Sequence, residues 1–207
     1  MRIGWLGAVL LGAGCTNDTQ VEIVVTASQV RIHIDYDINY FPLVEDGCDD
    51  PGDSYDSSRG EPACPVEYRL STDNGVSTAG ARGSYTFDMA GLGGTLEMSG
   101  CGVRRTFSLP GAVPTVTDAV ATREGDQTTI DFEAPRDTAT HYSASRQNGV
   151  FGYLTCTVRG DQRSIIMTTR GSQAGARISL VGLVHHESGG VVIEAQSEPL
   201  SITQPTE

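Results

Sequence analysis

The chain has no lysine, because all fourteen of its basic residues are arginine. That excludes every mechanism built on an amine side chain: Schiff-base chemistry, the phosphate-cradling lysine of a P-loop, and Ser-Lys dyads. Positive charge is also scarce overall. Against 26 carboxylates the formal net charge is −12, which works against binding to nucleic acid or to anionic lipid. Beyond the N-terminal segment there is no second apolar run approaching the roughly twenty residues of a membrane-spanning helix. G-x-S-x-G, H-E-x-x-H and C-x-x-C are missing, and the glycines of AGLGGTLEMSGCG (90–102) do not complete G-x-G-x-x-G; they read as a hairpin turn. No window carries a convincing amphipathic helix, and 25 glycines argue against one.

What is present alternates with period two. VEIVV, QVRIHIDY, VEYRL, SYTFDM, TLEMS and RRTFSL are short, rich in Val, Ile, Thr and aromatics, and separated by Gly, Pro, Asn and Asp. In QVRIHIDY the residues Val30, Ile32 and Ile34 point one way while Arg31, His33 and Asp35 point the other, which describes a half-buried strand with a wet face. Many short strands between turns mean an all-β chain of sandwich or barrel type. LPGAVP (109–114) interrupts the pattern with two prolines and a glycine, and about ninety residues lie on each side. The expectation is two tandem immunoglobulin-like β-sandwiches, 20–110 and 113–204.

The first residues, MRIGWLGAVLLGAGCTND, place one positive charge before about eleven apolar residues and then small residues up to Cys15. An apolar run that short reads as a signal peptide. Leu11-Gly12-Ala13-Gly14-Cys15 resembles the lipobox of bacterial lipoproteins, with Gly12 standing where that family usually has leucine. The resemblance implies cleavage after residue 14, a diacylglycerol thioether and usually an added palmitate at Cys15, and a short tether over 15–19. Two or three acyl chains, at about 0.8 kcal/mol per buried methylene, make such an anchor effectively permanent. Thr16, in place of aspartate, leans toward the outer membrane; ordinary secretion is the alternative.

Four further cysteines, Cys48, Cys64, Cys101 and Cys156, make an even number in an exported chain, which favours disulfides. Cys48 with Cys64 is the first expected pairing, because it closes a short loop with turn residues and no packing pattern of its own. Loop-closure arithmetic gives such a bridge about 3 kcal/mol at most. Cys101 with Cys156 follows by elimination, with a buried free thiol at Cys156, beside Leu154 and Val158, as the alternative.

Between Cys48 and Cys64 lies the most charged stretch. Residues 45–61 hold seven carboxylates against Arg59, half of the formal net charge of −12. Asp46, Asp49, Asp50, Asp53 and Asp56 supply several of the six to eight oxygens that Ca2+ takes, yet the spacing is not that of an EF-hand. The stretch reads either as a calcium loop or as a solvated, disulfide-pinned loop of the first sandwich. Tyr36, Tyr40, Phe41, Tyr55 and Tyr68 flank it in sequence and read either as a sugar-stacking cluster or as ordinary strand aromatics.

PTVTDAVATREGDQTTIDFEAPRDTATHYSASR resembles the opening of a fibronectin type III domain: a first strand after proline, a second ending in aromatic-x-x-Pro at Phe132 and Pro135, and a third centred on Tyr142. ARISLVGLVHHESGG and VVIEAQSEPLSIT are similar to that family's last two strands. The resemblance covers 113–203 and implies a seven-stranded sandwich acting as spacer or binding module, without catalysis.

Arg159-Gly160-Asp161 spells the integrin-binding tripeptide, but falls where a hairpin turn is expected between YLTCTV and SIIMTT. His185 and His186 are adjacent on a strand, so their side chains leave opposite faces and do not chelate one ion. No catalytic residues are assigned. The expected protein is a membrane-anchored envelope lipoprotein with a binding or structural role, meeting a protein or polysaccharide of the envelope. Because catalytic triads are recognised by geometry and not by order, the alternative is a hydrolytic or carbohydrate-active enzyme with an accessory type III half.

Overall fold

The computed structural model describes residues 20–35, 47–49, 65–100, 103–148, 152–168, 176–189 and 191–205. Among them every regular element is a strand. In chain order these are β1 (Gln20–Val25), β2 (Val30–Asp35), β3 (Gly47–Asp49), β4 (Val66–Thr72), β5 (Gly75–Ala81), β6 (Tyr85–Phe87), β7 (Thr95–Gly100) and β8 (Val103–Ser108). There follow β9 (Thr117–Glu124), β10 (Gln127–Glu133), β11 (His141–Asn148), β12 (Gly152–Arg159), β13 (Ser164–Thr168), β14 (Arg177–Ser188), β15 (Val191–Gln196) and β16 (Leu200–Thr203). They form two compact units.

The first unit comprises 1–40, 56–112 and 185–195. One of its sheets runs β15-β1-β2-β6 and the other β5-β4-β7-β8. The period-two pattern decides which residues meet between them. Val30, Ile32 and Ile34 are buried as expected, and Val66, Tyr68 and Leu70 of β4 and Leu96 and Met98 of β7 face them. Phe107 of β8 and Ile193 of β15 complete this core. The intervening Glu67 and Arg69 stay in water. β4 and β5 are joined by the two-residue loop Asp73–Asn74, with Thr72 opposite Gly75. Gly75 takes φ 129° there, a conformation that side-chain-bearing residues rarely adopt.

The second unit comprises 41–55, 113–184 and 196–207. A sheet of β13-β10-β9 faces one of β3-β12-β11-β14, with β16 paired to β14. Without β3 these are the seven strands that the fibronectin type III resemblance implies. Phe132 and Tyr142, both carried by that resemblance, are buried with ring centroids 4.7 Å apart. Ile130, Ile165, Met167, Ile178 and Leu180 fill the core around them.

Three expectations need correction. VVIEAQSEPLSIT does not form one closing strand: Val191–Ala195 belong to the first unit, where β15 runs parallel to β1, and the second unit closes with β16 instead. The polar end of β14, His185–Ser188, and Gly189 at φ 60° turn the chain back to make this possible. The acidic stretch does not belong to the first sandwich as a whole: its short strand β3 pairs with β12 in the second. The divisions 20–110 and 113–204 are therefore interleaved. Finally, Cys48 is bonded to Cys156 and not to Cys64. The cause is register: β3 and β12 are antiparallel neighbours and the two cysteines stand directly opposite, with Cα atoms 4.0 Å apart. Sequence distance gave no hint of a pair separated by 108 residues.

Candidate binding face

An open, shallow concavity lies on the wet face of the β5-β4-β7-β8 sheet in the first unit. Its volume is about 640 Å³, and it is lined by Glu67, Arg69, Thr78, Glu97, Ser99 and Arg104, with their neighbours Tyr68, Ala79 and Gly80. The ladder registers explain how these side chains meet. Arg69 stands opposite Thr78 on one side and Glu97 on the other, while Glu67 stands opposite Gly80 and Ser99, and Ser99 opposite Arg104. Charges of opposite sign thus occupy neighbouring strands, an arrangement that favours the sheet. Arg104 also reaches diagonally, donating from Nη2 to Glu97 Oε2 at 2.6 Å.

This checkerboard contains two guanidiniums and two carboxylates and is electrically balanced. An exposed ion pair of this kind is worth about 0–1 kcal/mol in water, so its members exchange partners cheaply. The face therefore offers forked donors and carboxylate acceptors to a polar ligand lying across the strands. Sequence reading missed it. VEYRL and TLEMS each show one or two charged residues on the wet face, but only the register brings Arg69 to Glu97 and Glu97 within reach of Arg104.

The residues singled out from sequence are placed differently. Cys15, Cys64, Cys101, Asp46, Asp50, Asp53 and Asp56 lie outside the described residues, as do Tyr36, Tyr40, Phe41 and Tyr55. Asp49 is in β3, in register with Thr155. Among the described residues no three His, Cys, Asp or Glu side chains come together as a metal site. Tyr68 is not a surface stacker: it is 1% exposed, stacks on Tyr85 with centroids 5.9 Å apart, and donates its hydroxyl to the Gly83 carbonyl.

His33 pairs through Nδ1 with Ser84 Oγ at 2.5 Å, and His185 Nε2 lies 3.6 Å from Glu194 Oε2 across the β14–β15 hairpin. Arg159-Gly160-Asp161 forms the expected turn. Gly160 donates to the Thr140 carbonyl at 2.8 Å, and Arg163 Nη1 grips the Gly160 carbonyl at 2.7 Å. A Cβ on Gly160 would come within 2.0 Å of the Ala139 carbonyl oxygen, so glycine is required by close backbone approach. A second cleft, about 530 Å³, runs beside the Cys48–Cys156 bridge and is lined in part by Arg163 and Ile166.

The second unit also buries a guanidinium. Arg146 is 4% exposed; its Nη1 donates to Gln204 Oε1 at 3.0 Å, and Gln204 Nε2 donates to Thr128 Oγ1 at 3.0 Å. Its Nε has no acceptor. Burial, and secondarily the charge of Arg123, lower the proton affinity of this group below the usual arginine value.

No protein-family model matches the chain, and no curated protein matches it in sequence. Among solved structures the chain is similar to a two-domain fibronectin type III segment of chicken tenascin, with a TM-score of 0.39 and 11% identity, covering 92% of this chain and 100% of that one.

Proposed function

We propose that the protein is a cell-envelope lipoprotein, held to a membrane through lipid on Cys15 and serving as a non-catalytic binding or structural module. The observation that carries the binding role is the checkerboard of Glu67, Arg69, Glu97 and Arg104. Arg104 is already paired with Glu97, and Arg69 and Glu67 stand beside them on the neighbouring strand, on the open face of a sheet. Such a surface recognises a polar partner by exchanging ion pairs and hydrogen bonds. The chemistry it matches is a protein or polysaccharide surface of the envelope, carrying amides, hydroxyls or mixed charge. Nucleic acid does not suit a chain of net charge −12. The role requires no cofactor, although calcium at Asp46, Asp49, Asp50, Asp53 and Asp56 remains compatible with it.

The anchor is supported by the small residues before Cys15 and the short apolar run preceding them. Replacing Cys15 with serine should move the protein from the membrane fraction, outer membrane in the first instance, to the soluble fraction and abolish labelling with palmitate. Retention in the membrane fraction would refute the anchor. For the binding role, the intact lipidated chain should capture an envelope component that the Arg69→Glu, Arg104→Glu double variant no longer retains. Equal capture by both chains would remove this face from the argument. The calcium reading predicts a rise in melting temperature with added Ca2+ by mass action, and no shift at about millimolar Ca2+ eliminates it.

A further inference from the structure

Sheet edges carry unpaired backbone groups, and folded chains normally blunt them by keeping them short, charging them, bulging them or covering them. In the first unit three edges follow that rule. β6 is three residues long. β8 is capped within the unit by the end of the β14–β15 hairpin: Ser108 N donates to Ser188 Oγ at 2.8 Å, Arg105 Nη1 approaches the Gly189 carbonyl at 3.4 Å, and Gly189 packs on the Phe107 ring. β15 folds back on the polar end of β14, His185–Ser188, which belongs to the same unit. In the second unit the edge strand β9 carries Asp118, Arg123 and Glu124, with Asp118 at φ 47°.

Among the described residues, β5 does none of this. It is seven residues long, GVSTAGA, with no charge, no proline and no register shift against β4. Val76 is 57% exposed, and the space beside Gly80 is open. The two-residue loop fixes which backbone groups are free. Thr72 and Gly75 form the closing hydrogen-bonded pair, so by alternation Leu70–Ser77, Tyr68–Ala79 and Val66–Ala81 exchange bonds across the hairpin. Val76, Thr78 and Gly80 consequently point their N–H and C=O groups away from β4. These three are evenly spaced about Thr78.

We propose that β5 is a homotypic docking edge, pairing antiparallel with β5 of a second copy about a two-fold axis at Thr78. In that register Thr78 faces its own counterpart, and Val76 and Gly80 of each chain face Gly80 and Val76 of the other. All outward N–H and C=O groups of these residues are then satisfied, as an isologous interface requires. Charge selects the occupant. Two chains of net charge −12 repel at long range, but β5 is neutral, and the charged residues beside it, Glu67, Arg69, Glu97 and Arg104, sum to zero. The nearest like charges brought into line, Arg69 and its counterpart, are three strand spacings apart, about 14 Å, beyond the screening length of about 8 Å at physiological salt. The side chains flanking the seam are small, so neither copy obstructs the other.

The test is oxidative cross-linking of the full-length chain in the cells that express it. Across a hydrogen-bonded antiparallel pair Cα atoms lie about 5.5 Å apart, inside the range a disulfide spans. Thr78→Cys should therefore yield a disulfide-linked dimer, at least about tenfold more than the unsubstituted chain and than Thr106→Cys on the capped edge β8; that factor corresponds to 1.4 kcal/mol of edge pairing. Adding Val76→Lys to Thr78→Cys should abolish the excess while leaving the melting temperature of the monomer unchanged, since residue 76 projects from the wet side. Yields no greater at residue 78 than at residue 106 overturn the proposal. Cross-linking of Thr78→Cys to a different polypeptide in place of a second copy overturns it too.

Discussion

Ile193 lies directly opposite Ile23 in the parallel register of β15 on β1, and both side chains are completely buried. One of these residues comes from the beginning of the chain and the other from near its end. The first unit therefore draws part of its core from residues that follow most of the second unit in sequence. A chain ending at residue 112 lacks Val191 and Ile193 and leaves the hydrogen-bonding edge of β1 bare. Expressed alone, residues 16–112 should fail to give a cooperative thermal transition, whereas Ile193→Ala in the intact chain should lower stability by about 2–5 kcal/mol. A cooperative transition of undiminished midpoint from residues 16–112 would refute this account.

The Cys48–Cys156 bridge closes a loop of more than a hundred residues, for which the chain-entropy estimate is about 4.7 kcal/mol. Strain and residual structure in the unfolded chain reduce that figure, so Cys48→Ser and Cys156→Ser should each lower stability by about 2–4 kcal/mol. The double variant should be no worse than either single one, because both remove the same bond. Denaturant unfolding with and without reductant checks this. An additive double variant would mean that the two cysteines have separate partners.

The all-β class was legible because Val30, Ile32, Ile34 and the Val66, Tyr68, Leu70 set carry period two in plain view. Local pattern also placed the Arg159–Asp161 turn. What escaped the sequence was everything decided by pairing at a distance. VVIEAQ reads equally well as the last strand of a type III domain or as an addition to β1, because its alternation is satisfied by either neighbour. Cys48 looked like the partner of Cys64 because proximity in sequence was the only distance available. The charged face was hidden for the same reason: Glu67, Arg69, Glu97 and Arg104 become a cluster only once β4, β7 and β8 are in register.

Two buried tyrosines offer a matched test of hydrogen-bond bookkeeping. Tyr68 donates to the Gly83 carbonyl, whereas the Tyr142 hydroxyl is buried with no partner. Removing a made bond strands an acceptor, at a cost of about 1–3 kcal/mol; removing a stranded donor removes a penalty. Tyr68→Phe should destabilise the protein, and Tyr142→Phe should be neutral or stabilising by about 1 kcal/mol. Arg163 stacks over the Tyr142 ring at 5.1 Å, a contact that phenylalanine preserves, so the comparison isolates the hydroxyl. Equal losses from both substitutions would contradict it.

The buried Arg146 guanidinium has its proton affinity lowered, chiefly by its own desolvation. A base whose proton affinity is depressed by folding destabilises the folded state while it is charged, and the penalty lifts only as pH rises through the lowered value. Around neutral pH the guanidinium stays charged, so the penalty is flat there. Gln204 is its one acceptor among the described residues, and Gln204→Ala should destabilise by about 2–3 kcal/mol. Replacing the whole network together, Arg146→Met with Gln204→Leu and Thr128→Val, removes the desolvated charge along with every group that depended on it. Such replacements are neutral or stabilising by about 1–4 kcal/mol. The difference in stability between this triple variant and the parent should hold constant between about pH 6 and 8 and shrink only under strongly alkaline conditions, as the parent guanidinium begins to lose its proton. A triple variant less stable than Gln204→Ala would show that the network holds the second unit together through more than its own satisfaction.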